Sequence, residues 1–332
     1  MKKVILLAAF VAIVFTLVGP ATLLAAGPTS SERKSPEAIA SIYVVDFVAT
    51  AAFGVAMNDA GDVTGTSYPD PGCGSSCLPP IETVVWKGGQ RIVLPPVPGL
   101  NGVTTSDINN LGWISGFGGV FGFGHAAVWK PDGGTYTPID MGLLPGTTSS
   151  SALGIDDNNR AVGCASPSSG GCIPFMWTEA GGMIDLTALG FPSEQPLGIS
   201  PGGRVATCSY WYRLDEAGSV TAMPAAPPGW LRGCGSVAIN DAGDQARFNS
   251  QTGDPESLAY PFRFNHEGTW QQIGFAGTGH LSTYGVGSIN DARDITATVQ
   301  STGMIAAGPS GLLQSLAALV SPAYAGGVLT RA

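Results

Sequence analysis

Ile108-Asn109-Asn110-Leu111-Gly112-Trp113-Ile114-Ser115-Gly116 is the stretch on which the reading of this chain turns. An apolar residue runs into a polar turn, a glycine, and a second short apolar strand. The turn recurs as Met57-Asn58-Asp59-Ala60-Gly61, Ile155-Asp156-Asp157-Asn158-Asn159 and Ile199-Ser200-Pro201-Gly202-Gly203. It returns again as Ile239-Asn240-Asp241-Ala242-Gly243 and Ile289-Asn290-Asp291-Ala292-Arg293. The first polar residues, Asn58, Asn109, Asp156, Ser200, Asn240 and Asn290, stand 51, 47, 44, 40 and 50 residues apart. Periods of roughly 20–50 residues mark stacked or ring-forming repeats, each a unit that buries its apolar face only against a neighbour.

The first copy shows what one unit contains. Gly54–Met57 reads as strand A, Asp62–Thr66 as strand B, Glu82–Trp86 as strand C and Gln90–Leu94 as strand D. Three residues after the Asn position stand Gly61, Gly112, Asn159, Gly203 and Gly243. Glycine reaches positive φ without steric cost and Asn is the next most tolerant residue, so an Asx-type hairpin turn is expected between strands A and B. Arg293 departs from this in the sixth copy and leaves the regularity of the last repeat open. Strand C carries Trp86, Trp129, Trp177 and Phe264, with Leu214 at that place in the fourth copy; one aromatic per unit is expected to be core.

The expected fold is all-β: a propeller of six four-stranded blades occupying 41–332, with repeats starting near 52, 103, 151, 196, 236 and 286. A seven-bladed ring is the alternative, since Gly303 to Val320 could supply further strands C and D. Residues 41–48 resemble a strand D and suit closure of the ring by pairing of the two termini. An open array would leave two bare sheet edges, which are aggregation hazards. The 48 glycines and 25 prolines fit many tight turns and stay below the roughly 25–30% typical of structureless chains.

Lys2 and Lys3 precede an apolar run from Val4 to Val18, broken by Gly19-Pro20 and followed by small residues. This reads as a secretory signal over 1–26, cut near Ala26, with a polar leader over 27–40 and a secreted or periplasmic bacterial product. The run is shorter than the ~20 residues that span a bilayer, so no membrane insertion is expected after cleavage. Net charge is −9, and no basic stripe is present, which argues against nucleic acid. Six cysteines pair most simply as Cys73–Cys77, Cys164–Cys172 and Cys208–Cys234, because export favours disulfides and each pair lies within one repeat.

The unit Ile-Asn-Asp-x-Gly-x-Val-x-Gly, followed by a loop and a strand ending in Trp, resembles the HAF-type extracellular repeat family of bacteria. The second copy carries it, with His125-Ala126-Ala127-Val128-Trp129 as its strand C; other copies read Pro174-Phe175-Met176-Trp177 and Pro261-Phe262-Arg263-Phe264. The resemblance spans about residues 41–320. It implies an exported propeller-like repeat protein and no established activity, so it assigns no functional residue.

Chemistry-bearing patterns are few. Gly198-Ile199-Ser200-Pro201-Gly202 matches a nucleophile-elbow pattern, with Asp241 or Asp254 and His266 or His280 following in the matching order. Ser200, however, occupies the Asn position of a hairpin turn, where no helix follows. The acidic turns at Asn58–Asp62, Asn240–Asp244 and Asn290–Asp294 offer two carboxylates each, short of the six or more oxygens calcium takes. No catalytic set, metal site or cofactor is expected, and whether the chain is an enzyme stays open, leaning against. In a repeat fold, function sits where repeats differ. Tyr210, Trp211 and Tyr212 with Trp230, bracketed by Cys208 and Cys234, are the expected ligand-binding set, suited to stack on a glycan or a protein side chain at a cell surface. The expected function is a secreted binding or surface-interaction module. The alternative is a secreted propeller hydrolase or lyase working with carboxylates near the central channel.

Overall fold

The turn residue makes the same hydrogen bond in all six copies. Its side-chain oxygen accepts the backbone N–H four residues on: Asp62 to Asn58 at 2.9 Å, Trp113 to Asn109 at 2.9 Å, Arg160 to Asp156 at 2.8 Å. The series continues with Arg204 to Ser200 at 3.1 Å, Asp244 to Asn240 at 2.8 Å and Asp294 to Asn290 at 2.9 Å. The residue three places on is left-handed in every copy, at φ 84° for Gly61, 59° for Asn159 and 66° for Arg293. Arg293 therefore does not break the sixth turn: its N–H donates to Asn290 O at 2.9 Å as Gly61 donates to Asn58 O. An arginine there carries roughly 1–2 kcal/mol of backbone cost that glycine avoids. Its side chain offsets this with contacts described below.

The structure is a computed structural model. It describes residues 2–8, 11–17, 43–50, 52–68, 81–119, 124–216, 219–252, 259–275, 283–299, 302–306 and 312–315. Each repeat is one antiparallel sheet with strands in chain order, so the architecture is a β-propeller. Blade one is Ala52–Met57, Val63–Ser67, Glu82–Lys87 and Gln90–Val93, the four strands expected from the sequence within a residue or two. Blade four is short: Gly198–Ile199, Arg204–Ala206, Tyr210–Arg213 and Thr221–Ala222. Blade five is long: Trp230–Ile239, Gln245–Gln251, Ala259–Asn265 and Thr269–Gln272. Blade six comprises Thr283–Ile289, Ile295–Val299, Thr302–Ala306 and Leu312–Ser315, with Gly274–Phe275 added in parallel to its outer strand. The segment after Gly303 thus supplies strands C and D of the sixth blade. Strand A of each blade runs beside strand A of the next, so these strands surround the axis.

Between blades six and one lies a seventh, three-stranded sheet. Lys2–Ala8 pairs with Val11–Leu17, which pairs with Tyr43–Thr50. Lys2–Ala8 runs beside strands of blade six and beside Ala52–Met57 of blade one. A strand is present at Tyr43–Thr50, but it pairs with Val11–Leu17 in this separate sheet and not with a strand of the last repeat, so the ring closure expected of 41–48 is not the one observed. The apolar, β-branched composition of Val4 to Val18 suits a strand as well as an export signal.

The core follows the register. Val63, Ile114, Ala161 and Gln245 stand opposite Trp86, Trp129, Trp177 and Phe264. In blade four the residue opposite Val205 is Tyr212, so Tyr212 and not Leu214 holds the strand-C aromatic place. Trp129 and Tyr212 are fully buried, and Trp86, Trp177 and Phe264 nearly so.

Blades are also stitched at the turns. Asn58 Nδ2 donates to Asn109 O at 3.0 Å, Asn109 Nδ2 to Asp156 O at 2.8 Å and Asn240 Nδ2 to Asn290 O at 3.0 Å. One position later, the N–H of Asp59 donates to Asn110 Oδ1 and that of Asn110 to Asp157 Oδ1, both at 2.8 Å. Asp156 and Ser200 lack the amide N–H, and there the link passes from Asp157 N–H to Pro201 O and from Gly202 N–H to Asp241 Oδ1.

Candidate functional site

Ser200 is fully buried and its Oγ accepts the Arg204 N–H, the role Asn plays in the other turns. Asp241 accepts from Gly202 N–H at 2.7 Å, so the elbow-like pattern is part of the turn stitching. Asp254 and His280 lie outside the described residues, as do Cys73 and Cys77. His125 pairs with Asp140 at 2.9 Å. Cys164 with Cys172 and Cys208 with Cys234 form disulfides, with Cα separations of 5.3 and 4.9 Å, inside the usual range.

The acidic turns are occupied by protein donors. Asp62 holds Lys87 Nζ at 2.9 Å. Asp244 holds His266 Nδ1 at 2.8 Å and Arg293 Nε at 2.7 Å. Burial works to raise the Asp244 pKa, but the His266 backbone N–H, Arg293, the His266 ring and Asn240 together bring it below the usual carboxylate value. Asp244, His266 and Glu267 come close enough to share an ion, yet Arg293 lies among them, its Nη2 on Glu267 at 2.7 Å. A guanidinium already fills the place of a cation.

On the inner strands, Asp107 stands two residues before the turn, where other blades carry Ala56, Gly154, Gly198, Ala238 and Ser288. Its carboxylate accepts the N–H of Ile108 at 2.9 Å and of Ile155, in the next blade, at 3.1 Å. Burial pushes its pKa from 3.8 up to about 7, against the pull of those two bonds and with a smaller push from Asp157.

Of the four expected ligand aromatics, Trp211 and Tyr212 are neighbours on one strand and lie on its opposite faces. Tyr212 packs with Val162, Leu186 and Val205, its ring 4.7 Å from Phe191. Trp211, on the opposite face of that strand, lies beside Ala206, Val237 and Ile239 under the Arg204 guanidinium, 5.5 Å from the ring centroid. Trp230 makes edge contacts with Tyr260 at 5.1 Å and Phe262 at 4.8 Å. Tyr210 and Trp230 are half-buried. The Cys208–Cys234 disulfide ties their two segments together across blades four and five.

Beside that disulfide lies a residue that the aromatic pattern did not reveal. Arg247 is fully buried, on strand B of blade five. Seven places after the turn residue, its counterparts are Gly65, Gly116, Gly163, Thr207 and Ala297. At Gly163 an added Cβ would overlap Ser151 O on the neighbouring strand, so that blade has no room for a side chain there. Blade five makes room with a wide bulge. Its strand A pairs Arg232 with Asn249 and then Val237 with Arg247, leaving Gly233 to Ser236 looped out. Cys234 sits in that bulge. The glycine-to-arginine departure in the repeat was the available sequence signal.

Arg247 donates to Gln245 Oε1 at 2.7 Å, to Cys208 O at 3.2 Å and to Thr207 O at 2.5 Å. All three acceptors are neutral. Burial lowers its pKa from 12.5 to about 10, and nearby Arg232 lowers it further while Glu194 opposes. Arg232 donates to Cys208 O at 3.3 Å. Glu194 accepts from Thr207 Oγ1 at 2.7 Å and Ser209 N–H at 2.9 Å; burial opposes its charge, but these bonds and Arg232 outweigh it and lower its pKa. Asn249, fully buried on the same sheet face, accepts the Gly233 N–H at 3.3 Å, while its Nδ2 has no partner among the described residues.

No protein-family model and no curated protein matches the chain. Among solved structures it is similar to a gluconolactonase of Xanthomonas campestris, at 13% identity and TM-score 0.39 over 80% of this chain and 75% of that one. It is similar also to TolB of Acinetobacter baumannii, at 10% identity and TM-score 0.35 over 82% of this chain and 58% of that one. A third is an arginine-to-alanine mutant of AofleA from Arthrobotrys oligospora, at 12% identity and TM-score 0.37 over 79% of this chain and 85% of that one. At these scores the likenesses carry no argument about function.

Proposed function

We propose that this protein is an exported, non-catalytic binding module whose ligand seats at the rim between blades four and five. The observation that carries this reading is Arg247. A buried cation without an anionic partner costs several kcal/mol, and the chain departs from its own repeat to place one there. A loop-out, a disulfide and a neighbouring Arg232 are assembled around it. The six-fold turn, with its resemblance to HAF-type repeats, supports export together with the two disulfides. Among the described residues no helix is long and apolar enough to cross a membrane.

A glycan array probed with the full chain tests the reading. Binding that is lost in Trp230→Ala and Arg232→Ala, with the thermal transition unchanged, supports it. Binding that survives both variants removes the ligand from this rim. The hydrolase or lyase alternative rests on Asp107, the one charged group in the last four inner-strand positions before the described turns. Turnover of a bound glycan that disappears in Asp107→Asn would favour it.

A further inference from the structure

We propose that the Cys208–Cys234 disulfide is redox-active, opened by a dithiol that attacks Cys234 and releases Cys208 as a thiolate stabilised by Arg232 and Arg247. The bond joins the loop after strand B of blade four to the looped-out segment Gly233 to Ser236 of blade five. Cys234 and Gly235 are exposed, whereas Cys208 is half-buried. An incoming thiolate therefore meets the Cys234 side of the bond, and Cys208 is the departing sulfur. Cys164–Cys172 offers a comparison within the same chain. It ties strand B of blade three to the loop before strand C, both residues are half-buried, and Cys164 Sγ lies 3.9 Å from a neutral group, Ser166 Oγ.

Charge favours that direction. Cys208 O accepts from Arg247 at 3.2 Å and from Arg232 at 3.3 Å, so two guanidiniums lie against this residue. The opposing charge is Glu194, which accepts from Thr207 Oγ1 and from the Ser209 N–H, on either side of Cys208. Two positive charges against one negative leave a positive balance around Cys208. A thiolate beside arginines forms at lower pH than an ordinary one, and a thiol of lower pKa leaves faster and makes its disulfide more oxidising. The thiolate also supplies what Arg247 lacks in the disulfide form, where its three acceptors are neutral. That anion arises from a bond already packed into the fold.

The exchange takes two electrons from the dithiol. Its first thiol gives its proton to water, and the resulting thiolate bonds to Cys234 Sγ. The Sγ–Sγ bond breaks, and its electron pair stays on Cys208. The second thiol, also deprotonated by water, attacks the mixed disulfide and expels Cys234, which takes a proton from water. The products are the oxidised dithiol, a Cys208 thiolate and a Cys234 thiol.

The test equilibrates the full chain in dithiothreitol buffers of graded reduced-to-oxidised ratio, traps free thiols by alkylation and maps them by mass spectrometry. Cys208–Cys234 is expected to be half-reduced at a ratio at least tenfold lower than Cys164–Cys172, a gap of about 30 mV or more. Arg232→Gln is expected to raise the ratio for Cys208–Cys234 at least threefold, and Arg232→Lys, which keeps the charge, to restore most of it. In the reduced protein, the rate of Cys208 alkylation by iodoacetamide should rise with a midpoint below the ordinary thiol value of about 8.5. Arg232→Gln should move that midpoint up. Both disulfides opening at one ratio, or Cys164–Cys172 opening first, would overturn the inference. So would an Arg232→Gln variant that matches the parent in ratio and midpoint. If that variant does not fold, the parent decides: a Cys208 midpoint at or above about 8.5 overturns the proposal.

Discussion

Asn109 Nδ2 lies 2.8 Å from the carbonyl oxygen of Asp156, in the turn of the next blade, while its Oδ1 takes the Trp113 N–H of its own turn at 2.9 Å. One side chain thus closes a hairpin and joins two blades. The same amide also donates to Asn159 Oδ1 at 2.8 Å. A residue that looks like local turn chemistry is the mechanical link of the ring.

Asn109→Ala strips the turn N–H groups of their acceptor and the Asp156 carbonyl of its donor. Buried groups left unpaired cost about 1–3 kcal/mol. We expect a loss of about 2–3 kcal/mol in chemical denaturation, well beyond that of Leu111→Ala, an exposed residue of the same turn. Equal losses in the two variants would show that the inter-blade bond contributes nothing.

Tyr212 tests the core register. Its hydroxyl is buried without a partner among the described residues, and burial against Phe191 and Leu186 raises its pKa, with Glu194 adding a smaller push. Tyr212→Phe removes an unpaired polar atom and keeps the ring, so stability should hold or rise by up to about 1 kcal/mol. Tyr212→Ala should cost about 3–5 kcal/mol, as aromatic core truncations do. A ligand-facing tyrosine would show the reverse: little loss of stability and a change in binding.

Asp107 gives the protein a pH signature. Its folded pKa lies above the ordinary value, so folding favours the protonated form. The stability tied to it is full below about pH 4, declines as pH rises toward 7, and is absent above that. The rise from 3.8 to about 7 bounds the effect at about 4 kcal/mol, and partial exposure makes the real figure smaller. Asp107→Asn should flatten the stability profile between pH 4 and 7 and be more stable than the parent at pH 8. A parallel pair of profiles would refute this.

Arg247→Met separates binding from stability. Exchanging a buried charge for an apolar side chain of similar length is often neutral or stabilising. We expect a melting temperature equal to or above that of the parent, offset in part by the carbonyls of Thr207 and Cys208 losing their donors. Ligand binding at the rim should fall at least tenfold. A strongly destabilised variant that still binds would make Arg247 a structural brace.

The turns, the strands and the once-per-unit aromatics are legible in the chain because their causes are near neighbours. Asn58 and Asp62 are four residues apart, and a left-handed glycine needs no distant partner. Arg293 was misleading for the opposite reason. Its backbone follows the turn's own hydrogen bonds, and the compensating contact is to Asp244, far back in the chain. Tyr212 was displaced in the reading by two positions, since the short blade four shifts strand C and only pairing with Val205 shows it.

By itself the sequence determined the all-β repeat, its turn chemistry and the location of the odd copy between Cys208 and Cys234. These follow from periodicity and from φ preferences, which act within a few residues. Only the tertiary structure decided that Asn109 binds the next blade, that Lys2–Ala8 and Val11–Leu17 stand between blades six and one, and that Arg247 reaches Thr207. Arg247 and Thr207 are 40 residues apart, and nothing local brings them together. Their meeting depends on the bulge that opens strand A of blade five and on the blade beside it, and burial and charge balance exist only once those surfaces are packed.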